Sequence, residues 1–112
     1  MQERLNGAAK VSYEHYVEAQ ALVRECRARL SELFRDYDVL LTPTTPGVAP
    51  KGLQNIGDSS FIRIWTTFHT PTLSLPVFRG AHGLPMGLQV IGPIGEDAKT
   101  LRAADWIYRT LS

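Results

Sequence analysis

The stretch Thr72-Leu73-Ser74-Leu75-Pro76-Val77, answered after a short break by Gly87-Leu88-Gln89-Val90-Ile91, decides the fold of this chain. Each segment reads as a strand of β-branched and apolar residues. Between them, Phe78-Arg79-Gly80-Ala81-His82-Gly83-Leu84-Pro85 contains two glycines and a proline, a turn signal for an antiparallel hairpin. Gly92-Pro93-Ile94-Gly95 closes the second strand. Glu96-Asp97 then opens a helix, its acidic first turn suited to the positive end of the helix dipole. That helix is expected to turn Ala98, Leu101, Ala104, Ile107, Tyr108 and Leu111 inward.

Working outward, Val39-Leu40-Leu41-Thr42 reads as a third strand. Its unbroken apolar run predicts cover on both faces, as in a parallel or mixed sheet. Ahead of it lies the plainest element in the chain. Tyr16, Ala19, Val23, Cys26, Leu30, Leu33 and Tyr37 recur at alternating steps of three and four, widened by Leu22 and Phe34, with Glu18, Arg24, Glu25, Arg27 and Arg29 on the other side. This is an amphipathic helix of about seven turns. Ser12 serves as its N-cap, Glu14 suits its first turn, and Asp38 breaks it. Asn6-Gly7 resembles a helix stop further upstream.

Residues 43–60 form a Pro/Gly-rich loop in which proline cannot donate to a ladder. Phe61, Ile64, Trp65 and Phe68 then fall at helical spacing, with Ser59 or Ser60 as cap. The resulting order is helix, strand, loop, helix, strand, strand, helix, without internal repeat. It predicts an α/β fold over residues 1–112 as a single domain or segment, with a small mixed sheet of about three strands covered by helices. So small a sheet has free edges. The chain is expected to form a homodimer, to complete a partner chain's sheet, or to expose apolar surface.

Composition narrows the function classes. A formal net charge of +1 gives no electrostatic reason to expect nucleic acid or an anionic membrane as partner. No apolar run approaches the roughly 20 residues that span a bilayer, and the first residues show no secretory signal. Cys26 is the only cysteine, which excludes an internal disulfide and points to a reducing cytoplasm.

Metal-free amide chemistry needs a nucleophile, a base and donors for an oxyanion. The serines are Ser12, Ser31, Ser59, Ser60, Ser74 and Ser112, and the lysines Lys10, Lys51 and Lys99. Ser59-Ser60 reads as a loop running into a helix cap, since its flanks lack the glycine run that lines an oxyanion hole. No Gly-x-Ser-x-Gly elbow occurs. His15, His69 and His82 are scattered, and one cysteine allows no zinc spacing. Gly87, Gly92 and Gly95 do not form a dinucleotide or phosphate loop. Hence no catalytic residue, metal or cofactor is assigned. Phe61, Trp65 and Phe68 read as core, and His69 reads as a pocket-mouth residue or a satisfied buried histidine.

Tyr37-Asp38-Val39-Leu40-Leu41-Thr42-Pro43-Thr44, Pro71-Thr72-Leu73-Ser74-Leu75-Pro76 and Gly83-Leu84-Pro85-Met86-Gly87-Leu88-Gln89-Val90-Ile91-Gly92 together resemble the C-terminal third of the amidase signature family. Each piece is weak, but their order and spacing are specific. The resemblance implies hydrolysis or transfer of amide nitrogen by a Ser–cis-Ser–Lys triad in a small-molecule amidase. It also implies that the triad and its Gly/Ser-rich oxyanion stretch lie upstream of the matching region. No residue here matches them. Where many members have glycine two residues before Pro71, this chain has His69, as some branches do. The family's C-terminal region contributes strands and part of a substrate funnel, which makes Trp65 and His69 the substrate-binding candidates. The expectation is a C-terminal amidase segment, inactive alone, or a stand-alone oligomerising or interaction module of that origin.

Overall fold

In the computed structural model, which describes residues 2–112, four α-helices and three strands follow one another. They are α1 (Gln2–Ala8), α2 (Tyr13–Asp36), β1 (Leu40–Pro43), α3 (Ser60–Phe68), β2 (Thr72–Arg79), β3 (Pro85–Ile91) and α4 (Asp97–Leu111). The sheet order is β1-β3-β2, and both pairings are antiparallel. The α/β fold with three strands and helical cover is therefore as expected, while the mixed sheet is not. The apolar run that suggested a parallel contribution belongs to an edge strand. Leu40 packs inward, but Leu41 is 50% exposed.

The core has two halves, one on each face of the sheet. Successive residues of the central strand point to opposite faces, and Val90 and Ile91 are both fully buried. Val90 packs with Leu75 beneath Ala104 and Ile107 of α4. Ile91 packs on the other side with Leu30 and Phe34 of α2 and with Trp65 and Phe68 of α3.

The hairpin is longer than its apolar residues alone indicate. Register passes from Leu75 opposite Leu88 to Phe78 opposite Met86, so β2 carries one extra residue. Pro76 sits at that bulge, where a missing N–H does least harm. The turn shrinks to residues 80–84, and Gly80 donates to the Leu84 carbonyl at 2.8 Å.

Helix ends follow local chemistry. Ser12 caps α2, its hydroxyl accepting from the His15 N–H at 3.2 Å. Neither Ser59 nor Ser60 caps α3 with its side chain. The Asp58 carboxylate accepts the Ser60 N–H instead, at 2.7 Å. Gly7 lies within α1, which ends one residue later at Ala8.

Two inward faces differ from expectation. In α4, Ala104 and Ile107 are buried, joined by Thr100, whereas Ala98, Leu101, Tyr108 and Leu111 are exposed. In α2, Leu30 and Phe34 are buried and Val23 and Cys26 half-buried, but Tyr16, Ala19 and Leu33, like Tyr37 at the C-cap, face solvent. Arg27, on the polar side by periodicity, reaches across and donates to the Thr67 carbonyl at 2.7 Å. There it meets the negative end of α3.

The body is a flat plate, 48 × 42 × 17 Å. Its radius of gyration is 16.7 Å, against about 13 Å for a compact chain of this length. Its accessible surface is 8664 Å², against about 6,200 Å² for a folded monomer of this mass.

Candidate functional site

The side of the sheet that carries Ile91 changes character along the central strand. Towards Ile91 it is apolar and roofed by α2 and α3. Two residues back, Gln89 begins a polar row, because Thr42 of β1 and Ser74 of β2 are both its direct cross-strand partners. Gln89 is only 3% exposed. Its amide Nε2 donates to Thr42 Oγ1 and to the Phe61 carbonyl, each at 3.0 Å. One buried side chain thus ties the edge strand and the first turn of α3 to the sheet.

Two residues further back, Gly87 has no side chain, and the bare backbone there is bridged by hydroxyls. Thr44 Oγ1 and Ser74 Oγ are 2.7 Å apart. A Cβ at position 87 would stand 2.0 Å from Ser74 Oγ and 2.6 Å from Thr44 Oγ1. The Thr44 N–H also donates to the Gly87 carbonyl at 2.9 Å, carrying the edge pairing past the end of β1.

This arrangement is a neutral polar row on the sheet: two hydroxyls paired with each other, beside a buried amide whose Nε2 bonds lie within the fold. It does not suit nucleophilic attack, since the Ser74 and Thr44 hydroxyls pair with each other and neither bonds a histidine, lysine or carboxylate among the described residues. Among the described residues, no three of His, Cys, Asp and Glu gather as metal ligands. No helix among them is long and apolar enough to cross a membrane.

Trp65 and His69 occupy different surroundings. Trp65 is half-buried and meets Phe68 edge to face, ring centres 6.5 Å apart. His69 is exposed at the C-cap of α3 in the left-handed region, φ 57° and ψ 34°, its N–H donating to the Thr66 carbonyl at 3.2 Å. That conformation favours glycine. Trp65 and His69 line neither of two cavities in the molecule: one beside α4 and residues 37–39, the other under Pro71–Leu73 and the start of α4.

Of these residues only Ser74 stood among the serines weighed on sequence grounds; Thr42, Thr44 and Gln89 were not candidates. A signal was present in Gln89, the one polar residue inside Leu88-Gln89-Val90-Ile91.

The same pieces recur in larger proteins. The Amidase family profile matches residues 1–101. The 2-amino-5-chloromuconic acid deaminase of Comamonas testosteroni is 33% identical over 115 residues, covering 93% of this chain and 25% of that protein. One polypeptide of the glutamyl-tRNA(Gln) amidotransferase of Thermus thermophilus is 40% identical over 96 residues, covering 80% of this chain and 20% of the relative. A crystal structure of an amidase superposes with a TM-score of 0.82 at 31% identity, covering 98% of this chain and 28% of that one. The chain thus spans about a quarter or less of these two curated relatives. Profile, identity and superposition agree over nearly its whole length, and the chain belongs to the amidase signature family.

Proposed function

We propose that this chain is the C-terminal portion of an amidase-type hydrolase and works on an amide substrate only when joined to the polypeptide that carries the reacting groups. In this reading the hydroxyls of Thr44 and Ser74 over Gly87 form part of a pocket wall, and the chain alone is catalytically silent. Trp65 and His69 lie towards the substrate side, the first as an apolar support and the second at the rim. The parent acts in the cytoplasm without a cofactor. The observation that carries the reading is the Ser74 hydroxyl, held at 2.7 Å by Thr44 and facing no base. A site built of neutral hydrogen-bonding groups can orient an amide, but it cannot deprotonate a nucleophile.

The test is ammonia release from simple aliphatic and aryl amides by the purified chain. The expected rate is that of buffer. Hydrolysis lost on Ser74→Ala, or on Ser59→Ala with Ser60→Ala, would overturn the reading.

A second reading, a stand-alone module that forms a homodimer, is favoured by one observation. The surface exceeds that of a compact monomer by about 2,500 Å², more than the roughly 800 Å² each partner gives to a standard interface. Sedimentation equilibrium separates the two. A discrete dimer supports the module, and a monomer that binds apolar dye supports the segment.

A further inference from the structure

On the α4 side of the sheet, away from the hydroxyl row, a cavity of about 450 Å³ opens between α4 and the residues leading into β1. That volume lies within the range of small-molecule sites. Its floor is apolar, made by Val39 and the buried Ile107. Two aromatic side chains, Tyr37 and Trp106, also line the cavity. Trp106 is 69% exposed and Tyr37 is also mostly in solvent. Large rings left in solvent around a concavity are surfaces that gain by being covered.

The charges at the rim are unequal. Lys99 reaches Asp38 at 3.0 Å, so these two neutralise each other across the cavity mouth. Arg102 also lines the cavity and has no ion-pair partner among the described residues. It stands one helical turn before Trp106 and hence on the same flank of α4. A flat apolar body is favoured against the apolar floor and the aromatic lining. A planar anion is favoured at the guanidinium, whose paired N–H groups match a carboxylate.

We propose that this cavity binds a free aromatic carboxylic acid, its ring system against Trp106 and Tyr37 and its carboxylate on Arg102. The proposal rests on α4 and the residues leading into β1 alone and stands or falls apart from the amidase reading.

The test uses the whole chain labelled with nitrogen-15, in which the two tryptophans give two indole N–H signals assigned by Trp106→Phe. The probes are 2-naphthoate and its neutral counterpart 2-naphthylmethanol. The Trp106 signal is expected to move saturably with naphthoate while that of Trp65 stays in place. The alcohol is expected to bind about tenfold more weakly, the discrimination a charge-assisted pair supplies. Arg102→Gln, at an exposed helical position, should erase that preference while leaving the circular dichroism unchanged. Equal binding of acid and alcohol, a shift without saturation, movement of Trp65 alone, or a preference that survives Arg102→Gln would each overturn the proposal.

Discussion

The Thr100 side chain fills the space that a side chain at position 92 would need. A Cβ on Gly92 would lie 1.7 Å from Thr100 Oγ1 and 2.7 Å from its Cβ. The Thr100 hydroxyl is itself engaged, donating to the Glu96 carbonyl at 2.8 Å. This contact sets the rotation of α4 and explains why Thr100, and not Leu101, faces the sheet.

Gly92→Ala should therefore destabilise the fold by about 2 kcal/mol, the usual scale for overpacking. Thr100→Ala removes the 1.7 Å contact to Oγ1 and leaves the 2.7 Å contact to Cβ, so it should recover most of the loss; Thr100→Gly clears the rest but adds the cost of a glycine inside α4. Urea denaturation of the single and double variants checks this order.

Gln89→Met keeps the volume but removes the donor that joins the Phe61 carbonyl to Thr42 Oγ1, leaving the Thr42 hydroxyl its bond to the Pro43 carbonyl. A cost of about 1 kcal/mol is expected, the usual net worth of an internal hydrogen bond. Adding Thr42→Val should cost less than its effect in the native background. A double-mutant cycle measures that coupling.

The Ser60 backbone N–H, then the Ser60 hydroxyl, hold the Asp58 carboxyl below its ordinary value of 3.8, with Arg63 adding to the effect. A carboxyl lowered by folding stabilises the folded state above its unfolded value. That contribution is lost as pH falls through the lowered one. The first turn of α3 should thus hold at neutral pH and loosen as acid passes below 3.8. Hydrogen exchange at Ile62 and Arg63, whose N–H groups bond the Ser59 carbonyl, follows it, and Asp58→Ala should flatten the dependence.

His69→Gly should raise stability by about 1 kcal/mol, because glycine adopts the left-handed C-cap without the strain that a side chain brings. Thermal unfolding reads this directly. A loss of stability would mean that the imidazole makes a contact worth more than the strain.

Element identity was legible wherever it depended on neighbours in the chain. The period of three and four from Tyr16 to Leu33 makes α2 a helix, Ser12 starts it, and the glycines around His82 make the hairpin turn. What escaped depended on partners far along the chain. Leu41 looks like buried-strand sequence, yet only the strand order puts it on an edge. Arg27 meets Thr67 across 40 residues. The hydroxyl row is invisible without the register that sets Thr42, Gln89 and Ser74 side by side, and the bulge at Pro76 shifts that register partway along β2. His69 stands out in the sequence as a departure from glycine, but its left-handed backbone is needed to say why glycine is common there.

Pro43 and Pro76 lie in the two outer strands, one on each border of the sheet. Neither has an amide hydrogen to offer an arriving strand. Ribbon-like polymerisation, the ordinary hazard of a bare β-border, is blunted on both sides at once. A chain with this much uncovered apolar area can consequently stay dispersed, and fibril-specific dyes should remain dark in its concentrated solutions.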